Sequence, residues 1–395
     1  MRLLFVFDIG FDRSGPSVHL LQDVLREALN QGHQIHVILK YTDGSNEKMP
    51  KEFCDNNLFS YELIDWNQNQ KKGFIKRYLN EIKYANISGK RALRAGKFDA
   101  VFLQSNVITY WYMRHLKKLK CRIIYNIQDI FPYNLKLSGQ LPMEKLTYPL
   151  FRKLQNMGYH IADKIITISE DMKQTLLEDG IEAQKIEVVY NWSYNDTPIS
   201  LEKIAPENVY DLCLDYSKYN VVYAGNIGKM QNVELIARTA YEMREDDSVH
   251  FYIIGNGSNK ENVMNIVEGL KNVTLLPMQP AQFAESIYAQ ADLNIISLVP
   301  GGIKTAFPSK TATVIRTEKP IIYCCDTNSI FCQQVKNDKQ IYVSDCENES
   351  DLISLILSLK NERGVKYRSS ILDNFISRKN ALRYIAIMTC TERNE

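Results

Sequence analysis

The chain has 395 residues, 45% of them hydrophobic, which is enough for about two domains with a core each. Its 48 lysines and arginines nearly balance 46 aspartates and glutamates, so a net charge of +2 gives no global attraction for nucleic acid, and any basic function has to be local. The eight cysteines form no C-x-x-C pair and no metal-ligand spacing, and read as free thiols in a reducing cytoplasm.

Between Arg2 and Asp8 lie only five apolar residues, too few for a secretory core, and no apolar run approaches the ~18 residues of a spanning helix. The expectation is a cytoplasmic protein, soluble or held at a membrane surface. The run Leu3-Leu4-Phe5-Val6-Phe7, a loop ending Ser14-Gly15-Pro16-Ser17, an amphipathic stretch from Val18 to Gln31, the turn Gly32-His33 and the run Gln34 to Leu39 predict strand, helix and strand of a parallel sheet. Ala100–Leu103, Ile123–Ile127 and Lys164–Ile168 predict further buried strands. Glu187-Val188-Val189-Tyr190 then leads into the polar, turn-forming residues 191–198, read as a linker.

After that linker the pattern restarts. Asn220 to Ala224 predicts a strand, Gly225-Asn226-Ile227-Gly228 a glycine turn, and Val233 to Met243 a helix. Val249–Ile254, Val273–Leu276, Leu293–Ile296, Ile321–Cys324 and Ile341–Val343 predict more strands, with helices over Phe283–Gln290 and Lys310–Arg316. A last helix is expected between Asp373 and Met388. The expected domains are 1–195 and 196–372, followed by a terminal segment 373–395.

A glycine turn at the carboxyl end of a first strand lets a phosphate or sugar approach backbone N–H groups at the positive end of the next helix. Gly15 and Gly225 stand at such places, and Gly15 could equally be a tight connection. A nicotinamide-dependent dehydrogenase is excluded: it needs G-x-G-x-x-G after a strand, whereas Gly255-Asn256-Gly257 lacks the third glycine and neither turn matches. Pro300-Gly301-Gly302-Ile303-Lys304-Thr305-Ala306-Phe307-Pro308-Ser309-Lys310 says more, because it places a hydroxyl and an ammonium at an expected helix N-terminus, where a pyrophosphate could sit. The bland alternative is a serine-capped surface helix.

At these residues the chain resembles glycosyltransferase family 4, in particular bacterial capsule and O-antigen transferases with a Pro-Ser-Lys motif. The matching pieces, in order, are Gly15-Pro16-Ser17 with Gly32-His33, the Gln128-Asp129-Ile130-Phe131-Pro132 stretch, Ile168-Ser169-Glu170, Asn191-Trp192, Tyr223-Ala224-Gly225-Asn226-Ile227-Gly228-Lys229, Pro308-Ser309-Lys310 and Lys319-Pro320. The resemblance implies an α/β protein of GT-B architecture, two Rossmann-like domains whose parallel sheets face a central cleft, with the terminal segment 373–395 crossing back to the first. It implies a retaining transfer from a nucleotide sugar, uridine diphosphate being the default carrier, to a saccharide acceptor. By that analogy Asn226 and Lys229 lie at the donor phosphates with Gln231 nearby, Pro308, Ser309 and Lys310 cradle the pyrophosphate, Met278 approaches the base, and Gly15 and Gly255 allow close approach.

One departure is plain. Many members carry two glutamates with seven residues between them, the second contacting the ribose, and here those places hold Thr305 and Thr313. The analogous leaving-group chemistry needs no metal if Lys229 and Lys310 meet the charge developing on the diphosphate. No D-x-D signature occupies a suitable loop. Asp129 is the candidate for orienting the acceptor hydroxyl, or it caps a turn before Pro132. The histidines form no H-x-x-x-H pair; His33 and His36, read as flanking a strand, are expected to be structural.

Between Lys71 and Lys97 nine basic residues meet one acid, Glu81, interleaved with Phe74, Ile75, Tyr78, Leu79 and Ile82. Such a face suits anionic lipid, near a lipid-pyrophosphate-linked acceptor, unless it is a solvated helix surface. Two rival functions share the architecture: a sugar-nucleotide epimerase, and a non-catalytic subunit partnering a transferase.

Overall fold

The computed structural model describes residues 1–11, 18–41, 49–66, 73–104, 107–193 and 197–390. The chain divides into two compact units, the first made of Met1–Lys136, Gln140–Asn191 and Ser377–Glu395, the second of Leu137–Gly139 and Trp192–Ile376.

Unit 1 is built on seven parallel strands: β1 (Arg2–Val6), β2 (Gln34–Tyr41), β3 (Phe59–Asp65), β4 (Ala100–Gln104), β5 (Arg122–Ile127), β6 (Lys164–Thr167) and β7 (Ile186–Val188). Their order is β3-β2-β1-β4-β5-β6-β7, so the winding reverses between β1 and β4. Phe5 pairs with Val37 on one side and Phe102 on the other, and the four central residues Leu3 to Val6 are fully buried. Burial on both faces is why these strands read as continuous apolar runs. The edge strand β3 has mostly half-buried or exposed residues, which hid it from the same criterion. The helices are α1 (Val18–Asn30), α2 (Lys51–Cys54), α3 (Phe74–Arg94), α4 (Thr109–Leu116), α5 (Tyr133–Leu137), α6 (Glu144–Ile161) and α7 (Glu170–Glu178). Helix α1 buries Val18, Leu21, Val24, Leu25 and Ala28, one stripe at helical spacing. The Ser169 hydroxyl accepts from the Met172 N–H at 3.2 Å and fixes the start of α7, whose first turn carries Glu170 and Asp171.

Unit 2 repeats the design with β8 (Tyr219–Asn226), β9 (Val249–Asn256), β10 (Val273–Leu276), β11 (Leu293–Ser297), β12 (Ile321–Cys325) and β13 (Ile341–Asp345), all parallel, in the order β10-β9-β8-β11-β12-β13. Here the winding reverses between β8 and β11. Its helices are α8 (Val233–Glu242), α9 (Lys260–Val267), α10 (Ala284–Gln290), α11 (Thr311–Val314), α12 (Ile330–Gln334) and α13 (Glu349–Lys360). Strand residues Val221, Phe251, Ile253 and Ile295 pack against Leu235 and Ile236 of α8 and Leu352 and Ile356 of α13 in one apolar core.

The helix expected over Lys310–Arg316 is shorter than its pattern suggests: α11 makes one turn and passes into a 3-10 turn, Ile315–Thr317, ended by Glu318 at φ 55°. The buried Arg316 anchors this turn: its guanidinium donates to Glu285 at 2.7 Å, to the Ser193 hydroxyl at 2.6 Å and to the Thr197 carbonyl at 2.7 Å. The final helix, α14 (Ser377–Thr389), packs on α1 in unit 1 and buries Asn380, Ala381, Tyr384, Ile385 and Met388. Among the described residues no helix is long and apolar enough to cross a membrane.

Candidate functional site

In an open parallel sheet, ligands bind beyond the carboxyl ends of the strands where the winding reverses. In unit 2 that place is the end of β8, and its sequence there is Ala224-Gly225-Asn226. The strand ends close on one another only because glycines meet. A Cβ on Gly255 would lie 2.0 Å from the Gly225 carbonyl oxygen, and one on Gly257 2.4 Å from the Ile227 carbonyl. A Cβ on Gly228 would lie 2.7 Å from both the Asn226 amide nitrogen and Gln231 Oε1. In the space so left, Asn226 donates to Gln231 Oε1 at 2.9 Å. Lys229, itself exposed, opens the 3-10 turn Lys229–Gln231 beside them, ahead of the N-terminus of α8.

Lys310 reaches the same strand end from the other side of the switch. Its Nζ donates to the Ala224 carbonyl at 2.9 Å and lies 3.9 Å from the centre of the Tyr223 ring. A Cβ on Gly225 would come within 2.9 Å of it, so this lysine too occupies space that a glycine vacates. The Tyr288 hydroxyl donates to the same Ala224 carbonyl at 2.9 Å, and the Tyr223 hydroxyl to the Asn226 carbonyl at 2.6 Å. Packing around the amine pushes its pKa down to about 7, because burial penalises the charged form and no carboxylate offsets it.

Upstream, the loop is pinned where the Gly301 N–H meets both carboxylate oxygens of Asp326, at 3.0 and 2.9 Å. Ser309 is exposed and does not cap α11, whose N-cap position is Lys310 itself. The Pro308 carbonyl instead accepts from the Thr311 hydroxyl at 2.7 Å. Thr305 is buried and its hydroxyl donates to the Gly302 carbonyl at 3.1 Å, while Thr313 is half-buried on α11. Met278 is exposed in the loop after the edge strand β10. The structure therefore gathers Asn226, Gln231, Gly255 and Lys310 at one strand end with Lys229 adjoining, and no side-chain hydrogen bond ties Met278 or Thr313 to them. Tyr223 and Tyr288 escaped the sequence reading as site residues. Tyr223, two residues before Gly225 on the strand, was visible as a motif member; Tyr288 left no sequence signal.

In unit 1 Asp129 follows β5, two residues before a cis Phe131-Pro132 peptide. The residue is exposed, yet desolvation by the protein packed around its carboxyl raises it to about 6. The preceding residue is held by a polar chain that the sequence did not reveal. Asn191 donates to Gln128 Oε1 at 2.7 Å, Gln128 to Asn126 Oδ1 at 3.3 Å, and Asn126 to Gln104 Oε1 at 2.8 Å, with the Tyr384 hydroxyl of α14 also on Asn126 Oδ1 at 3.1 Å. Gly15, Lys71 and Lys72 lie outside the described residues. His36 stands inside β2 rather than flanking it, with Nδ1 2.8 Å from the Ser60 hydroxyl and Nε2 3.6 Å from Glu62.

Two doubly wound parallel sheets, the second with a glycine-lined strand end and a half-buried lysine at its switch point, define an α/β protein of the GT-B class. Comparison with known proteins agrees. The family model described as "Glycosyltransferase Family 4" matches residues 15–192, and that described as "Glycosyl transferases group 1" matches residues 218–361. Residues 15–192 thus carry the family 4 glycosyltransferase domain and residues 218–361 the group 1 domain, and the chain is a glycosyltransferase. It is 24% identical over 298 residues to "Probable glycosyltransferase WbjE" of Pseudomonas aeruginosa, covering 72% of this chain and 71% of that one. It is 27% identical over 213 residues to "Putative colanic acid biosynthesis glycosyl transferase WcaI" of Escherichia coli (strain K12), covering 51% of each. Among solved structures, HepE of Anabaena in complex with UDP superposes with a TM-score of 0.61 at 13% identity, over 98% of this chain and 95% of that one.

Proposed function

We propose that this transferase moves one sugar from a nucleoside diphosphate sugar, with uridine diphosphate as carrier, to a saccharide acceptor carried on a lipid pyrophosphate, with retention at the anomeric carbon. Its place is surface-polysaccharide assembly on the cytoplasmic side of a membrane. Unit 2 holds the donor and unit 1 the acceptor, the basic helix α3 bringing unit 1 to anionic lipid. The observation that carries the reading is the seat of Lys310 at the β8 switch point, beside the Asn226–Gln231 pair and Lys229. The bound UDP of HepE, on the same fold, and the colanic acid role in the name of WcaI support it.

Breaking the anomeric C–O bond leaves negative charge on the departing diphosphate. Lys229, and Lys310 once the diphosphate beside it restores its proton, supply positive charge toward it, and the glycine-lined strand end lets backbone N–H groups approach, which lowers the barrier. The acceptor hydroxyl oxygen bonds to the anomeric carbon on the face the diphosphate leaves, and its proton passes to a departing phosphate oxygen. Asp129 orients that hydroxyl. Thr313, with Met278, Pro308 and Ser309, completes the donor contacts, a hydroxyl standing where the family's ribose-binding carboxylate would be.

A thermal-shift series with UDP, GDP and dTDP and their sugars tests this directly, because a ligand binding only the folded state raises the midpoint, by about 2.7 kcal/mol of stabilisation at a hundredfold excess over Kd. The expected result is selective stabilisation by UDP, lost in Lys310→Ala. No shift with any nucleotide sinks the proposal.

A further inference from the structure

Helix α6 presents an apolar stripe that the chain leaves uncovered. Met143 just before it and Leu146, Leu150 and Met157 along it are 40% to 70% exposed. At 100° per residue these four fall within an arc of roughly 60°, turned well away from the buried Phe151, Gln155, Gly158 and Tyr159. Helix α3 behaves alike: Ile75 and Leu79 are more than half exposed. Each follows directly on a ring, Phe74 or Tyr78, that packs on Phe151 of α6 with centroids 5.8 and 4.9 Å apart. The two exposed apolar sets therefore flank one aromatic joint.

The charge around this joint is one-sided. Lys76, Arg77, Lys83, Lys145 and Lys153 are exposed and make no ion pair among the described residues. The only acids on the two helices are neutralised, Glu81 by Lys40 at 2.8 Å and Glu144 by Lys136 at 3.5 Å. A shallow depression of about 410 Å³ runs along α6, with Lys153 and His160 among its lining residues. Large apolar side chains bordered by unpaired lysines match the boundary of an anionic bilayer, where methylene stems and branched chains enter the acyl region while ammonium groups meet phosphates.

We infer that the α6 stripe, with Ile75 and Leu79 of α3, inserts into the acyl boundary of an anionic bilayer while the lysines of both helices engage the headgroups. The inference rests on the membrane contact proposed above and deepens it, from attraction by charge alone to insertion of named side chains. The test is flotation of the full chain with phosphatidylcholine vesicles, with and without phosphatidylglycerol, at low and high salt. Wild type is expected to float with anionic vesicles and to remain partly bound at high salt. Leu146→Ser with Leu150→Ser should bind at least tenfold more weakly while its melting temperature is kept, since both side chains are exposed. A tryptophan at Leu150→Trp should shift its emission to the blue on anionic vesicles. No flotation of wild type overturns the membrane contact itself. Equal binding by wild type and the double serine variant, or an unshifted tryptophan, overturns insertion and leaves attachment by charge. A dimer in sedimentation that the double serine variant abolishes, with lipid binding unchanged, assigns the stripe to a second copy of the chain and also overturns the inference.

Discussion

An amine whose pKa is about 7 answers an arriving anion differently from an ordinary lysine. Free of ligand, Lys310 is largely neutral at pH 8 because burial against Tyr223 and Ala224 disfavours its charge. A diphosphate beside it restores the proton, so UDP binding at pH 8 is expected to take up close to one proton, and affinity to fall roughly tenfold per pH unit above 7. Titration calorimetry in buffers of differing ionisation enthalpy reads the uptake, which Lys310→Arg should abolish; its absence in wild type refutes the lysine's role. Asp129 carries the opposite sign. Its carboxyl is raised from 3.8 to about 6, so the folded state bears a penalty for the charged form that grows from pH 4 to 6 and stays constant above. Asp129→Asn is therefore expected to raise the melting temperature above pH 6, with no gain at pH 4, while lowering kcat; an equal change at both pH values contradicts it. Neither property was legible in the sequence. It shows Ser309-Lys310 after a glycine-rich loop, but not that the amine turns onto a strand 86 residues earlier.

At the scale of elements, what the sequence revealed follows burial. Strands such as β12, buried along all five residues, announce themselves as apolar runs, whereas β3 at the sheet edge does not. The β8–β9 closure shows where pattern gives out: a glycine reads the same whether it eases a surface turn or lets two backbones touch. Gly269 is the first kind, at φ +77° with nothing near its missing Cβ, and Gly255 is the second. Gly269→Ala is expected to cost about 1–2 kcal/mol, the strain of a left-handed residue. Gly255→Ala must push β8 and β9 apart, an overpacking cost of about 3 kcal/mol, and should also abolish the shift induced by UDP. Urea unfolding with and without UDP separates the two; if both variants keep the UDP response, the glycine closure does not shape the donor site.

At the scale of the whole molecule, the restart of the strand–glycine–helix pattern at Asn220 made two βα arrays visible in the sequence, because each must bury its own parallel sheet. What local pattern could not supply is the place of α14. Its buried residues find their partners far back in the chain: the Asn380 amide donates to the Tyr190 carbonyl at 2.9 Å, the Tyr384 hydroxyl to Asn126 Oδ1 at 3.1 Å, and the Tyr384 ring lies 6.0 Å from Phe102. Ala381, Ile385 and Met388 are covered as well, all within unit 1. Removing the chain from Ser377 onward uncovers Tyr384, Ile385 and Met388 together with the apolar surface beneath them. At about 1.5–3 kcal/mol for each large side chain, the loss is comparable to the 5–15 kcal/mol that holds a typical domain together. The truncated chain is therefore expected to lose protection from hydrogen exchange throughout β1, β4 and β5 while β8, β9 and β11 stay protected and UDP still stabilises them. Protection lost equally from both sheets would mean that the two units do not fold independently. Protection kept in both would mean that α14 adds little to the core it covers.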